Sequence, residues 1–183
     1  MSGYLELILG PMFSGKTTKL IDVYNKASYC KHNILVINYE EDTRYSKDKL
    51  STHSKLMIPC IMSSSIREVL DEHDIEDYKY VLINEGQFFD DIVETVIELV
   101  NNNKKVYISG LDGDFKRNKI GNLLDLIPYA DNYYKLKALC AECKNGEKGI
   151  FSYRKTKEQE QKVIGSDNYI PLCRSCYDKF NEL

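Results

Sequence analysis

Residues 10–17 constrain this chain more than any other stretch. They read Gly10-Pro11-Met12-Phe13-Ser14-Gly15-Lys16-Thr17, the pattern G-x-x-x-x-G-K-[ST] of a phosphate-cradling P-loop. The pattern means something only between a strand and a helix. Leu5–Leu9 is an apolar run of the right length for a buried parallel strand, and Lys16 to about Ser28 reads as a helix. A glycine-containing turn that fits by chance would not bring both neighbours with it. Gly10 and Gly15 permit torsions and close approaches that a side chain would block. Backbone N–H groups and the positive end of the following helix then point at an anion. Lys16 offers a point charge to the β- and γ-phosphates, and the Thr17 hydroxyl can ligate Mg²⁺. The ligand implied is a nucleoside triphosphate on an α/β fold.

Charge and length narrow the partners. The chain has 183 residues, with 25 Lys and Arg against 28 Asp and Glu, and a net charge of −3. That length suits one domain, or one domain with a small appendage. A nucleic-acid polymer calls for a basic excess, which is absent, so none is expected as the main partner. No apolar run approaches the roughly 18 residues that would span a bilayer, and the N-terminus does not read as a signal peptide. No membrane partner is expected. A P-loop with six cysteines and no export signal points to a reducing cytoplasm, where clustered cysteines bind metal more often than they form disulfides.

Further along, apolar runs alternate with amphipathic stretches. Strands are expected at Leu5–Leu9, Ile34–Tyr39, Tyr80–Asn84 and Val106–Ser109, and helices at Ser65–His73 and Asp90–Asn101. Asp90 and Asp91 are placed to favour the start of the last helix. Such alternation predicts a parallel β-sheet with helices on both faces. After about Lys137 the helical patterns stop, and cysteine, glycine and charge increase. A boundary is placed there, dividing the chain into 1–137 and 138–183. Lys155–Lys162 reads as a solvated loop. Cys30 and Cys60 are expected to be ordinary small buried residues.

Cys140 and Cys143, then Cys173 and Cys176, form two C-x-x-C knuckles with 29 residues between them. Two such knuckles can give four thiolates to a tetrahedral Zn²⁺, and a closed shell of protein ligands makes a structural metal. A redox-active C-x-x-C pair is the competing reading. A loop pinned at both ends by the metal would be well placed to close over a ligand.

With Asn84-Glu85-Gly86-Gln87-Phe88-Phe89 at the end of the third strand, the chain closely resembles the cytosolic-type thymidine kinases that carry a zinc-bound lasso. The resemblance covers nearly the whole length. It rests on LGPMFSGKTT (9–18), DTRY (42–45), THS (52–54), NEGQFF (84–89), LDGDFKR (111–117), NLLDLIPYAD (122–131), both cysteine pairs and VIG…Y (163–169). It implies transfer of the γ-phosphate of ATP to thymidine, and to deoxyuridine, with Mg²⁺ and a structural Zn²⁺. It assigns residues 1–137 to the kinase domain and residues 138–183 to the lasso domain. Glu85 matches the family's base on the 5′-hydroxyl, a role that suits a carboxylate. ATP and its Mg²⁺ are expected on Gly10, Pro11, Met12, Phe13, Ser14, Gly15, Lys16, Thr17, Asp42, Thr43, Arg44, Asn84 and Gln87. The nucleoside is expected against Met12, Phe88, Leu111, Phe115, Arg117, Ser152 and Tyr169, and against the lasso residues Gln161, Lys162, Val163, Ile164 and Gly165. Arg44 and Arg117 match arginines near the phosphates and the 5′ end. Without the resemblance, Phe88, Phe89, Phe115 and Tyr169 would be assigned to a core, and Glu85 to a surface strand end. His53 is expected to pack or hydrogen-bond. Family members usually form tetramers, so a homotetramer is expected.

The chain also departs from the family. Asn84 stands where an Asp is usual, keeping an oxygen acceptor but losing the charge. The lasso is one residue shorter than the common form, Gln161 and Lys162 are more polar than usual, and the Cys143–Phe151 turn is longer. A P-loop NTPase or nucleotide-binding regulator with a zinc ribbon is the competing function. A GTPase would carry an N/T-K-x-D guanine reader, which this sequence lacks.

Overall fold

Strands that are apolar on both faces need cover on both sides. In the computed structural model, residues 2–40, 49–51, 57–163 and 165–182 are described. β1 (Tyr4–Leu9) runs through the P-loop into α1 (Lys16–Tyr29), followed by β2 (Ile34–Tyr39). A short antiparallel pair, β3 (Lys49–Ser51) and β4 (Met57–Pro59), precedes β5 (Ile61–Ser63) and α2 (Ile66–Glu72). Then come β6 (Tyr80–Asn84), α3 (Ile92–Asn101), β7 (Lys105–Gly110) and β8 (Asn132–Lys135). The main sheet has the order β5-β2-β6-β7-β1-β8, and every pairing in it is parallel. This is the α/β architecture expected.

The two-residue period of a strand divides the core. Leu5, Leu7 and Leu9 join Leu35, Ile37, Val81 and Ile83 on the face covered by Ile92, Val96 and Leu99 of α3 and Ile66 and Val69 of α2. Ile8, Val36 and Leu82 point the other way, to Leu20 and Ile21 of α1 and to Leu50 and Ile58 of the β3–β4 pair. The four expected strands match β1, β2, β6 and β7. The edge strands β5 and β8 escape notice because each is short and β8 is polar, with Tyr133 exposed.

Asp91 stands at the start of α3, as expected: it is the residue before Ile92, and its carbonyl accepts from the Thr95 amide at 3.2 Å, but its side chain caps no amide of that helix. Its Oδ2 instead accepts from Ser65 Oγ and from the Arg67 amide, both at 2.8 Å, at the start of α2. Ser65 Oγ accepts in turn from the Glu68 amide at 3.3 Å. One expectation is corrected: Cys30 is exposed, because it caps α1 at the surface, and Cys60 is only half-buried, so neither is a fully buried residue.

Beyond β8, short antiparallel pairs replace the parallel sheet: β9 (Ala138–Leu139) with β10 (Lys148–Gly149), and β11 (Phe151–Arg154) with β12 (Tyr169–Leu172). α4 (Arg174–Phe180) follows. A small core of Cys140, Leu172, Cys173 and Tyr177 forms here, with Phe151 and Tyr153 packed on it. Among the described residues, no helix is long and apolar enough to cross a membrane.

Because one Asp91 oxygen serves two donors of α2, Asp91→Ala should destabilise the protein by about 1–3 kcal/mol. Urea denaturation would show this as a lower midpoint with an unchanged slope.

Candidate functional site

A parallel sheet delivers the carboxyl ends of its strands to one edge, and β1 ends there at Leu9, with Gly10 opening the loop. Gly10 has φ 152°, and a Cβ on it would lie 2.7 Å from the Leu136 carbonyl oxygen and 2.8 Å from Ser14 Oγ. Glycine is required at this position. Phe13 (φ 64°) and Gly15 (φ 84°) adopt left-handed backbone, which turns the loop into α1. The first turn of α1 carries no acidic side chain, so its N-terminal N–H groups keep their positive field for an anion. Ser14 Oγ and Lys16 Nζ both donate to the Pro11 carbonyl at 2.8 Å, folding the loop on itself.

The neighbouring strand ends supply polar atoms. Asn38 and Asn84 are register partners at the ends of β2 and β6. Asn84 Nδ2 donates to Asn38 Oδ1 at 2.8 Å, and Ser109 Oγ of β7 donates to Asn84 Oδ1 at 2.6 Å. Thr17 Oγ1 reaches the same Asn84 oxygen at 3.4 Å. Asn38, Asn84 and Ser109 are all buried. The amide is therefore locked with its oxygen toward the P-loop helix. A hydroxyl and an amide oxygen fit a Mg²⁺ ion that keeps most of its waters.

Glu85 follows in left-handed backbone, φ 55° and ψ 40°, a conformation uncommon for a residue with a side chain. Gln87 holds it: Nε2 donates to Glu85 Oε2 at 2.7 Å, while Gln87 Oε1 accepts from the Leu111 amide at 2.9 Å. Gly121 (φ 58°) lets this loop close, since a Cβ there would stand 1.9 Å from the Gln87 carbonyl oxygen. Phe89 is fully buried in the core, whereas Phe88 faces Tyr39 across 5.2 Å.

The C-terminal segment meets this edge. The Met12 amide donates to Ser152 Oγ at 2.9 Å, which ties the P-loop to β11. Tyr177 Oη donates to the Phe115 carbonyl at 2.5 Å. Gln161 Nε2 donates to Asp114 Oδ2 at 2.8 Å. Lys162 Nζ sits 4.4 Å from the Tyr39 ring centre and 4.9 Å from that of Phe88. Tyr169 Oη donates to the Val163 carbonyl at 3.1 Å, and Gly165 has a left-handed φ of 128°. Arg117 is turned to the cysteine side, 4.8 Å over the Tyr177 ring and 3.4 Å from Asp178. Asp42, Thr43, Arg44 and Ile164, together with His53, lie outside the described residues. Asn38, Ser109, Tyr39 and Arg154 also line this edge, and no motif in the sequence marks them. Arg154 stood at the head of the charged run Lys155–Lys162, where its burial left no trace in composition.

The sulfurs of Cys140, Cys143, Cys173 and Cys176 lie within 4.8 Å of one another, with Cys143 at 3.6 Å from both Cys173 and Cys176. Zn–S bonds of about 2.3 Å imply tetrahedral edges of about 3.8 Å, so the four-thiolate set can bind zinc. Burial raises the Cys140 thiol, but the backbone amides of Cys173, Cys143 and Glu142 outweigh it and bring the group down to about 6. Cys143 is raised, first by its hydrogen bond to Cys140. A divalent cation would relieve that competition.

The thymidine kinase family model matches residues 3–177 of this chain. The chain belongs to the thymidine kinase family. Relatives in it include a thymidine kinase of Yaba monkey tumor virus (strain VR587), 42% identical over 98% of this chain and 97% of the relative. The cytosolic thymidine kinase of Bos taurus is 39% identical over 97% of this chain and 73% of its own length. A thymidine kinase of vaccinia virus (strain Western Reserve) is 38% identical over 96% and 97%. Family membership makes the chain an enzyme of the thymidine-phosphorylating class.

Elemental analysis of the purified kinase should find about one zinc per chain. Cys173→Ser should lose that zinc and lower the melting temperature, as should a strong chelator.

Proposed function

We propose that the protein transfers the γ-phosphate of ATP to the 5′-hydroxyl of thymidine, and of deoxyuridine, giving the 5′-monophosphate and ADP. The observation that carries this reading is the contact between Thr17 of the P-loop helix and Asn84, the residue next to Glu85. It supports the reading by joining the P-loop helix to the strand end just before the carboxylate that Gln87 holds. In this reading the Gly10–Thr17 loop and the start of α1 bind the triphosphate, with Lys16 on the β- and γ-phosphates. Thr17 and Asn84 would hold a hydrated Mg²⁺, which would neutralise phosphate charge. Glu85, oriented by Gln87, accepts the 5′-hydroxyl proton as the oxygen attacks the phosphorus in line.

Met12, Phe88, Leu111, Phe115, Ser152 and Tyr169 receive the nucleoside, and residues 161–165 close over its base. Water is thereby kept from the γ-phosphate, without which a kinase becomes an ATPase. Residues 138–183 act as a zinc-stapled lasso domain beside the kinase domain of 1–137. The name of the bovine relative supports a cytoplasmic location.

The test is phosphate transfer from ATP with Mg²⁺ to a nucleoside panel, comparing monophosphate formed with phosphate released. Thymidine and deoxyuridine monophosphates should dominate. Free phosphate without nucleotide product would instead support a P-loop NTPase. Glu85→Gln should lower kcat about a hundredfold or more while thymidine KM changes little. Asn84→Asp should lower the Mg²⁺ concentration at half-maximal rate, since a carboxylate holds the ion's waters more strongly than an amide. A titration over Mg²⁺ would check this.

A further inference from the structure

A guanidinium has five N–H groups, and a buried one must find acceptors for all of them. Arg154 ends β11 and is 3% exposed. Its Nε and Nη2 donate to the Tyr169 hydroxyl at 3.0 and 2.6 Å, across the strand pair in which Arg154 and Tyr169 are direct partners. Nη1 donates to the carbonyls of Glu158 at 2.9 Å and Glu160 at 2.6 Å, and Nη2 to that of Gln161 at 3.0 Å. All five hydrogens are used. The guanidinium also lies over the Phe115 ring, with Cζ 3.7 Å from its centre.

Residues 158–161 belong to no helix or strand, and their side chains are exposed. Three of their carbonyls converge on this one cation. The tyrosine hydroxyl that accepts from Arg154 passes the constraint on by donating to Val163 at 3.1 Å. A single side chain thus links an irregular loop to Phe115 and Tyr169, the two rings assigned to the nucleoside.

We propose that Arg154 is the positioning residue of the acceptor site: it holds residues 158–163 folded over the Phe115–Tyr169 pair before nucleoside arrives. The proposal rests on the thymidine kinase reading of that pocket. Arg154 touches no reacting atom in it. It acts by ordering the loop in advance, so that binding need not supply that ordering. The rigid planar fork suits diverging carbonyls, whereas a lysine ammonium offers three donors and no planar face.

The test uses the full-length, zinc-loaded protein with Arg154→Met, which keeps an apolar side chain over Phe115 without donors, and Arg154→Lys, which keeps the charge. Amide exchange over residues 158–163 is measured without and with thymidine, alongside the KM for thymidine, the KM for ATP and zinc content. Without nucleoside, exchange in this loop should accelerate about tenfold or more in Arg154→Met, and less in Arg154→Lys. Thymidine KM should rise about tenfold in Arg154→Met while ATP KM stays within about twofold, with zinc unchanged. Unchanged loop exchange, or equal rises in both KM values, overturns the proposal. Loss of zinc in both variants also overturns it, by assigning Arg154 to the stability of the cysteine unit. Thymidine should slow loop exchange in the unaltered protein. If it does not, the thymidine reading of the pocket fails, whereas the variants' exchange without nucleoside judges Arg154 itself.

Discussion

The oxygen of Asn84 is the point on which the working edge of this molecule turns. It is reached from β7 by Ser109 at 2.6 Å and from α1 by Thr17 at 3.4 Å, while the same side chain's nitrogen is anchored on β2 by Asn38 at 2.8 Å. Three strands and the P-loop helix are registered on one buried amide. An unpaired buried polar group costs more than a typical hydrogen bond contributes, so each partner is held as firmly as it holds. Glu85 comes next in the chain, in left-handed backbone, and its carboxylate is bound to Gln87. The position of the carboxylate is thus inherited from the strand end before it. This explains how a strained residue is kept in place in a molecule of marginal total stability.

The cysteine unit is joined to that edge by contacts that each come from a different level of structure. Ser152 meets the Met12 amide of the P-loop, Tyr177 meets the Phe115 carbonyl, and Gln161 meets Asp114. The Ser152 and Gln161 contacts require that the segment between the knuckles be placed, and the Tyr177 contact requires the same of α4 after the second knuckle. The core of the cysteine unit is four residues with a few rings against them, too small to stand unaided. Four thiolates on a common ion would supply the missing constraint. The same ion would therefore act at a distance on the loop that follows β11, by fixing the strand pair from which Arg154 and Tyr169 project.

Sequence alone carried the parallel core because the relevant signals are local. Ile34–Tyr39 and Tyr80–Asn84 are apolar runs whose bounds the structure reproduces, and glycine at 10 and 15 marks the loop between β1 and α1. The cysteine spacing was equally legible, because metal ligands leave a chemical rather than a statistical trace. What stayed hidden was whatever depends on which chain segments meet. Asp91 starts its own helix as expected, but its carboxylate also serves α2, a contact that nothing in the local sequence announces. β8 has no apolar run to announce it, since an edge strand beside β1 needs hydrogen-bond register more than burial. Arg154 lies beside a charged run and is buried by carbonyls four to seven residues away, which no periodicity encodes. Asn84 was visible as a departure from the family, but its partners Asn38 and Ser109 were not.

Those partners change how the departure should be understood. A carboxylate at position 84 would need donors on every side in a site that is 2% exposed. Ser109 and Thr17 can donate to it, but Asn38 now presents its carbonyl oxygen to this side chain. The carboxylate would meet that oxygen unless Asn38 turned its amide over. The present arrangement is therefore self-consistent and neutral: Asn84 donates to Asn38 and accepts from Ser109 and Thr17 without burying a charge. Neutrality shifts the electrostatic work elsewhere. In the proposed reaction Lys16 and the open N-terminus of α1 carry the positive field toward the phosphates, and neither depends on the charge of residue 84. An ion that keeps its waters needs oriented oxygens as well as anionic ones. The Asn84 side chain is held by three partners, two on its oxygen and one on its nitrogen, before any ion arrives.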